Sequence, residues 1–197
     1  VTDIPVELDL ETMRVTHYDR RQVIDLFREL EFYSLLSKLP ETKDEVPRLE
    51  VKAAAGEYRV ITTVAELDEI ARRFAQVPAL AFDTETTGLN PMLAALVGIS
   101  LCAEEGRAYY IPLGHTSLDE FTQLPLPQVL GRLKPLLEDG RIAKFAHNAK
   151  FDMMVLAECG VAVAGLDFDT MIAAHLLGEK NLGLKALAFG YLGVEMM

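Results

Sequence analysis

The chain has 197 residues, half of them apolar, which suffices for the core of one ordinary domain and excludes global disorder. Thirty acidic residues against 19 Lys and Arg leave a net charge of −11. That balance argues against a broad basic face for nucleic acid, but not against an acidic pocket that admits a strand end around metal ions.

No apolar run approaches the roughly 20 residues that span a bilayer, and no basic-then-apolar leader is present. Cys102 and Cys159 stand far apart with no CxxC, so the expectation is a cytoplasmic protein with reduced thiols and no membrane contact. The first residue is Val1 rather than Met, as expected of a processed product or an excised piece of a longer chain.

Along the chain, "PVELDLE" alternates like a short edge strand. "DRRQVIDLFRELEFYSLLSKL" carries Val23, Leu26, Phe27, Leu30, Tyr33 and Leu36 at spacings of three and four, which predicts an amphipathic helix stopped by Pro40. "PETKDEVPRLEVKAAAGE" is charged and proline-bracketed, a linker. The expected organisation is an N-terminal strand–helix extension over 1–40, a linker over 41–56, and a main domain over 57–197.

In the main domain "EYRVIT" predicts a strand. Thr63 and Glu66 predict a capping box for a helix with Val64, Leu67, Ile70, Ala71 and Phe74 on one side. "ALAFDTE", "LAALVGISLCA" and "RAYYIPLG" are β-rich runs separated by turns, a meander that favours antiparallel pairing. "LPQVLGRLKPLLEDG" predicts a helix despite Pro135, "RIAKFAH" a strand, and "NAKFDMMVLAECG" a helix ended by Gly160. "DTMIAAHLL" and "LGLKALAFGYL" predict two more helices. The fold class is α/β with a mixed sheet flanked by helices.

Asp83 and Glu85 stand two apart in "AFDTET", so a strand projects both carboxylates from one face while Thr84 points away. Such pairs are common by chance in an acidic chain. Their place at the end of an apolar strand is more informative, because strand-to-loop junctions are where α/β sheets hold their chemistry. Asn148 and Asp152, four apart where "RIAKFAH" passes into a helix, share a face one turn apart. Asn148 also reads as the helix cap, and Asp152 as an acid favoured in a first turn. Three carboxylates from a strand end and a helix start suit hard divalent cations, Mg²⁺ or Mn²⁺. Zinc would require His or Cys clusters that the sequence lacks. His147 and His175 read as structural residues, His115 as a loop residue near DNA at most, and Asp169 as the cap of the "DTMIAAHLL" helix.

"FDTETTGL", "HNAKFD" and "FDTMIAAHLL" resemble the first motifs of the DEDD 3′–5′ exonucleases, in the version of the bacterial DNA polymerase I proofreading domain. The first forty residues resemble the segment after the 5′-nuclease domain of those polymerases. That order is not expected of ribonuclease D or the RecQ-associated exonucleases. The resemblance implies a ribonuclease H-like fold, two Mg²⁺ or Mn²⁺ ions, a single-stranded DNA 3′ end as substrate, and a monomer whose partner is the rest of the polymerase polypeptide, acting in replication and repair. It implies Asp83 bridging both metals, Glu85 on the metal that positions the attacking water, and Asp152 on the second metal. It further implies Asn148 hydrogen-bonding the terminal nucleotide, Leu89 pressing on the terminal base, and Thr86 and Gly88 shaping the loop. The family's last motif, a Tyr with an Asp four residues on, is expected downstream of Met197. Tyr191 and Glu195 in "YLGVE" have that spacing but come too early. The chain by itself is therefore expected to be weak or inactive, the alternatives being a metal-free scaffold or a ribonuclease D-like exoribonuclease.

Overall fold

The computed structural model describes residues 18–30, 32, 35, 39, 56–116, 123–194 and 196. The expected "PVELDLE" strand and nearly all of the expected linker lie outside these residues. Two compact units divide the chain, one made of 1–53 with 185–197 and the other of 54–184.

In the first unit, helix α1 (Arg20–Glu29) begins where the Gln22 amide donates to Asp19 Oδ1 at 3.1 Å. Ile24 is buried, while Leu26 and Leu30, placed on the apolar face by spacing, are about half exposed.

The second unit is a six-stranded sheet in the order β1-β4-β3-β2-β5-β6. Its strands are β1 (Glu57–Val60), β2 (Ala79–Thr86), β3 (Leu96–Glu104), β4 (Arg107–Pro112), β5 (Ala143–Ala146) and β6 (Leu166–Asp169). The helices are α2 (Val64–Phe74), α3 (Leu126–Leu137), α4 (Ala149–Glu158) and α5 (Thr170–Leu176). The β2–β3–β4 meander is antiparallel, as expected from its three successive β-rich runs. β1 joins β4, β5 joins β2, and β6 joins β5, all in parallel. The four-residue strand β6 was not anticipated: "LDFD" is too short to show a period and is half acidic.

Alternation in β2 buries Leu80, Phe82 and Thr84 on one face. Across the register Phe82 meets Leu101 and then Tyr109, and Thr84 meets Ile99 and then Ile111. Leu67, Ile70 and Phe74 of α2 and Val129, Leu133 and Leu137 of α3 complete this core. Each such side chain, fully buried, contributes roughly 1.5–3 kcal/mol. Thr63 and Glu66 form both halves of the predicted capping box at the start of α2. Lys144 is fully buried in β5, with Nζ donating to the carbonyls of Ile142 at 2.9 Å and of Asp139. Those bonds tie the turn before β5, and burial pushes the lysine's pKa down.

"LGLKALAFGYL" differs from the uniform helix predicted. Helix α6 covers only Leu184–Leu187, and a π-helical turn follows over Ala188–Leu192, closed by Gly193 at φ 68°. Tyr191 lies in that turn, and Glu195 is outside the described residues.

Candidate active site

The end of β2 carries the acidic pair. Asp83 faces Ser100 and Glu85 faces Gly98 on β3, and the register slips between Glu85 and Thr86, where the strand leaves the ladder. Both carboxylates project from the face opposite Phe82 and Thr84, as alternation dictates. Asp83 is half-buried and Glu85 exposed.

Asp152, in the first turn of α4, is 3 % exposed. Its Oδ1 accepts from the Thr84 amide at 2.9 Å and from Thr84 Oγ1 at 2.5 Å. The β2–β5 pairing stops at Ala81 and Phe145, so the edge of β2 is open at Thr84, and Asp152 fills the gap. The third carboxylate therefore arrives at the strand edge rather than from the face of the other two. Thr84 points away from Asp83 and Glu85, as the sequence implied, but it anchors Asp152. Alternation alone gives no hint of that.

Asp83 feels the charges of the other two acids. The Asp83 carboxyl is pushed up to about 6, first by burial and then by the charges of Asp152 and Glu85. Asp152 is raised too, by burial, against the pull of its Thr84 hydrogen bonds. Among the described residues no Lys or Arg forms an ion pair with any of the three. The described residues also contain no group of three or more His, Cys, Asp or Glu close enough to cage a metal unaided. Mg²⁺ needs no such cage, since it takes one or two carboxylates and fills its other positions with water and phosphate oxygens. Asp152 Oδ1 is committed to Thr84, which leaves Oδ2 for such a role.

Asn148 departs from the capping expectation. It precedes α4 with φ 62°, a left-handed conformation that asparagine tolerates better than most residues, and its side chain makes no capping bond. Asp169 does the work instead. Its carboxylate accepts from the amides of Asn148 (3.1 Å), Ala149 (2.8 Å), Met171 (2.8 Å) and Ile172 (3.3 Å). One side chain thus holds the starts of α4 and α5 together. Burial raises its pKa, but the four donors outweigh that and hold it below the usual carboxylate range. The sequence marked Asp169 as the cap of α5; its second duty depends on β5 and β6 being neighbours. His147 Nδ1 meets Thr170 Oγ1 at 2.8 Å, a structural contact at the same junction.

The loop after β2 is internally braced. Thr86 Oγ1 donates to the Gly88 carbonyl at 2.8 Å, the Ala95 amide donates to Thr87 Oγ1 at 2.9 Å, and the Met92 amide donates to Asn90 Oδ1 at 3.1 Å. Leu89 is 96 % exposed at its tip. A large apolar side chain held clear of the protein on a strand-end loop is suited to contact a flat apolar ligand.

A parallel–antiparallel sheet flanked by helices, with carboxylates at the end of a central strand, is a ribonuclease H-like fold. The sequence profile described as 3′–5′ exonuclease matches residues 58–197, and the chain belongs to that family. It is 42 % identical to DNA polymerase I of Chloroflexus aurantiacus over 96 % of this chain and 23 % of that protein. It is 34 % identical to DNA polymerase I of Pseudomonas aeruginosa over 98 % of this chain and 22 % of that protein. The chain thus spans about a quarter of the length of these relatives. Escherichia coli RNase D shares the fold, with a TM-score of 0.55 at 24 % identity over 72 % of this chain and 35 % of that one.

Proposed function

We propose that this chain carries the metal-binding and strand-end-binding residues of a proofreading 3′–5′ exodeoxyribonuclease within a bacterial-type DNA polymerase I. The observation that carries the reading is the Asp83 carboxyl, pushed up to about 6 beside Asp152 and Glu85 with no Lys or Arg ion-paired to it among the described residues. A like-charge cluster left unneutralised is unfavourable by itself and becomes favourable around a divalent ion.

In this reading Asp83, Glu85 and Asp152 hold Mg²⁺ or Mn²⁺. Such ions, when bound, would supply electrostatic stabilisation of the charge that develops as a phosphodiester is hydrolysed. The chain supplies the rest. Thr84 fixes Asp152, and Asp169 fixes the backbone of Asn148, so that the Asn148 side-chain amide can hydrogen-bond the terminal nucleotide. Leu89 packs on the terminal base without regard to its identity, and Thr86 holds the loop that presents Leu89. Stacking and backbone contacts of this kind read single strands without sequence preference. The net charge of −11 argues against a broad face that grips a duplex.

The test is Mg²⁺- or Mn²⁺-dependent release of nucleotides from labelled 3′ ends by the polymerase containing this segment, with DNA and RNA strands compared. Asp83→Ala is expected to abolish release from DNA. Unchanged release would refute the assignment, and preferential cleavage of RNA would favour a ribonuclease D-like role. A metal-free scaffold is the second reading, favoured by the lack of a three-acid metal cage among the described residues. It predicts no Mn²⁺ binding above that of an Asp83→Ala control.

A further inference from the structure

Tyr110 and His115 form a built arrangement beside the carboxylates that the proposed reaction does not use. Ser100 pairs with Asp83 on one side and Tyr110 on the other, so these three residues form one cross-strand row. Glu85, Gly98 and Pro112 form the next row on the same face. Gly98 has no side chain, and the Tyr110 ring leans into the vacant place. A Cβ at Gly98 would lie 2.0 Å from the Tyr110 hydroxyl oxygen and 2.5 Å from Cζ. The phenol oxygen therefore sits directly over the residue that pairs with Glu85. Burial and then the Glu85 charge raise the pKa of that hydroxyl, in keeping with this proximity.

His115 Nε2 shares a short hydrogen bond with the same hydroxyl, and the two rings meet edge-on with centroids 5.8 Å apart. His115 is itself clamped. Its amide donates to Gln123 Oε1 at 2.8 Å, and Gln123 Nε2 donates back to its carbonyl at 2.7 Å. The order Gln123, His115, Tyr110 thus runs from the start of α3 to the flank of an exposed glutamate at a strand end. A free glutamate there retains rotamer freedom that must be given up when it binds a ligand.

We propose that Tyr110, oriented by His115, is a positioning residue for Glu85. Nε2–H of His115 donates to the Tyr110 hydroxyl oxygen, and the phenol's own proton is left to donate to one oxygen of the Glu85 carboxylate. The other oxygen is then held toward a divalent ion. Hydrogen bonds that orient a metal-ligating carboxylate typically matter by about 10–100-fold in metal affinity or activity. This inference rests on the reading of Glu85 as a metal ligand.

The test is a Mn²⁺ titration of the whole 197-residue chain, following the free-ion signal by electron paramagnetic resonance, with near-UV circular dichroism as a check on folding. Wild type is expected to bind Mn²⁺, and Asp83→Ala to lose that binding. Tyr110→Phe, which keeps the ring over Gly98, and His115→Ala are expected to weaken it about tenfold. His115→Gln, whose side-chain amide can still donate to the phenol, is expected to restore affinity to within about threefold of wild type; a merely structural role for the imidazole gives no such rescue. Wild-type affinity in folded Tyr110→Phe, alongside loss in Asp83→Ala, would overturn this proposal and leave the metal site standing. No binding by wild type beyond the Asp83→Ala control would overturn the metal site and this proposal with it.

Discussion

Replacing Asp83 with Asn turns the electrostatics of the candidate site into a measurable stability. In the folded chain without metal the Asp83 carboxyl titrates at about 6, against an ordinary value of 3.8. Between these values the folded state holds a proton that the unfolded state releases, so stability falls as pH rises from about 4 to about 6 and stays lowered above that. Taken at face value the displacement corresponds to about 3 kcal/mol. Asp83 is only partly buried, and solvent screening reduces the expectation to about 1–2 kcal/mol. Asp83→Asn removes the ionisation and keeps the shape. In EDTA at pH 7.5 it is expected to be more stable than wild type by about that amount, or about 2–8 °C in Tm. At pH 4 the two should coincide, and adding Mn²⁺ should stabilise wild type and not the variant. Urea melts of both proteins at pH 4, 6 and 7.5 decide the matter. Equal destabilisation of Asp83→Asn at every pH would show that Asp83 is a satisfied structural residue and would refute the electrostatic account.

Asp169→Ala leaves four amides at two helix starts without their acceptor, and a loss of about 2–4 kcal/mol is expected in chemical denaturation, with Asp169→Asn less severe. Gly98→Ala places a methyl on the Tyr110 hydroxyl, so Tyr110 must move; a loss of about 1–3 kcal/mol is expected, accompanied by a changed tyrosine signal in near-UV circular dichroism. Thr84→Val keeps the volume but removes one of the two donors to Asp152 Oδ1, raising the Asp152 pKa further and costing about 1–2 kcal/mol at pH 7, less at pH 4. Leu89→Ala should change stability by less than about 0.5 kcal/mol because the side chain is almost fully exposed, while weakening the affinity of the proposed strand-end site for single-stranded 3′ ends.

The features legible in the sequence are those set by local periodicity. Alternation in "ALAFDTET" put Asp83 and Glu85 on one face, the Thr63–Glu66 spacing gave the capping box, and three short β-rich runs gave an antiparallel meander. What was not legible depends on pairs distant in the chain. Thr84 and Asp152 are 68 residues apart, and nothing in either segment signals that a gap at the edge of β2 brings them together. Asp169 resembled an ordinary cap because its second helix start lies 20 residues earlier. Asn148, in a cap-like position, proved to be a left-handed residue held by another side chain. Tyr110 read as a strand residue, and only the register that sets it over Gly98 reveals its place beside Glu85.

The claim at the centre of this account is that Asp83, Glu85 and Asp152 share a divalent-ion site. Anomalous diffraction from a Mn²⁺-soaked crystal of the chain tests it most directly. A peak within coordinating distance of Asp83 and at least one of the other two carboxylates is the predicted result. Mn²⁺ bound only elsewhere, with these three side chains carrying none, would contradict it.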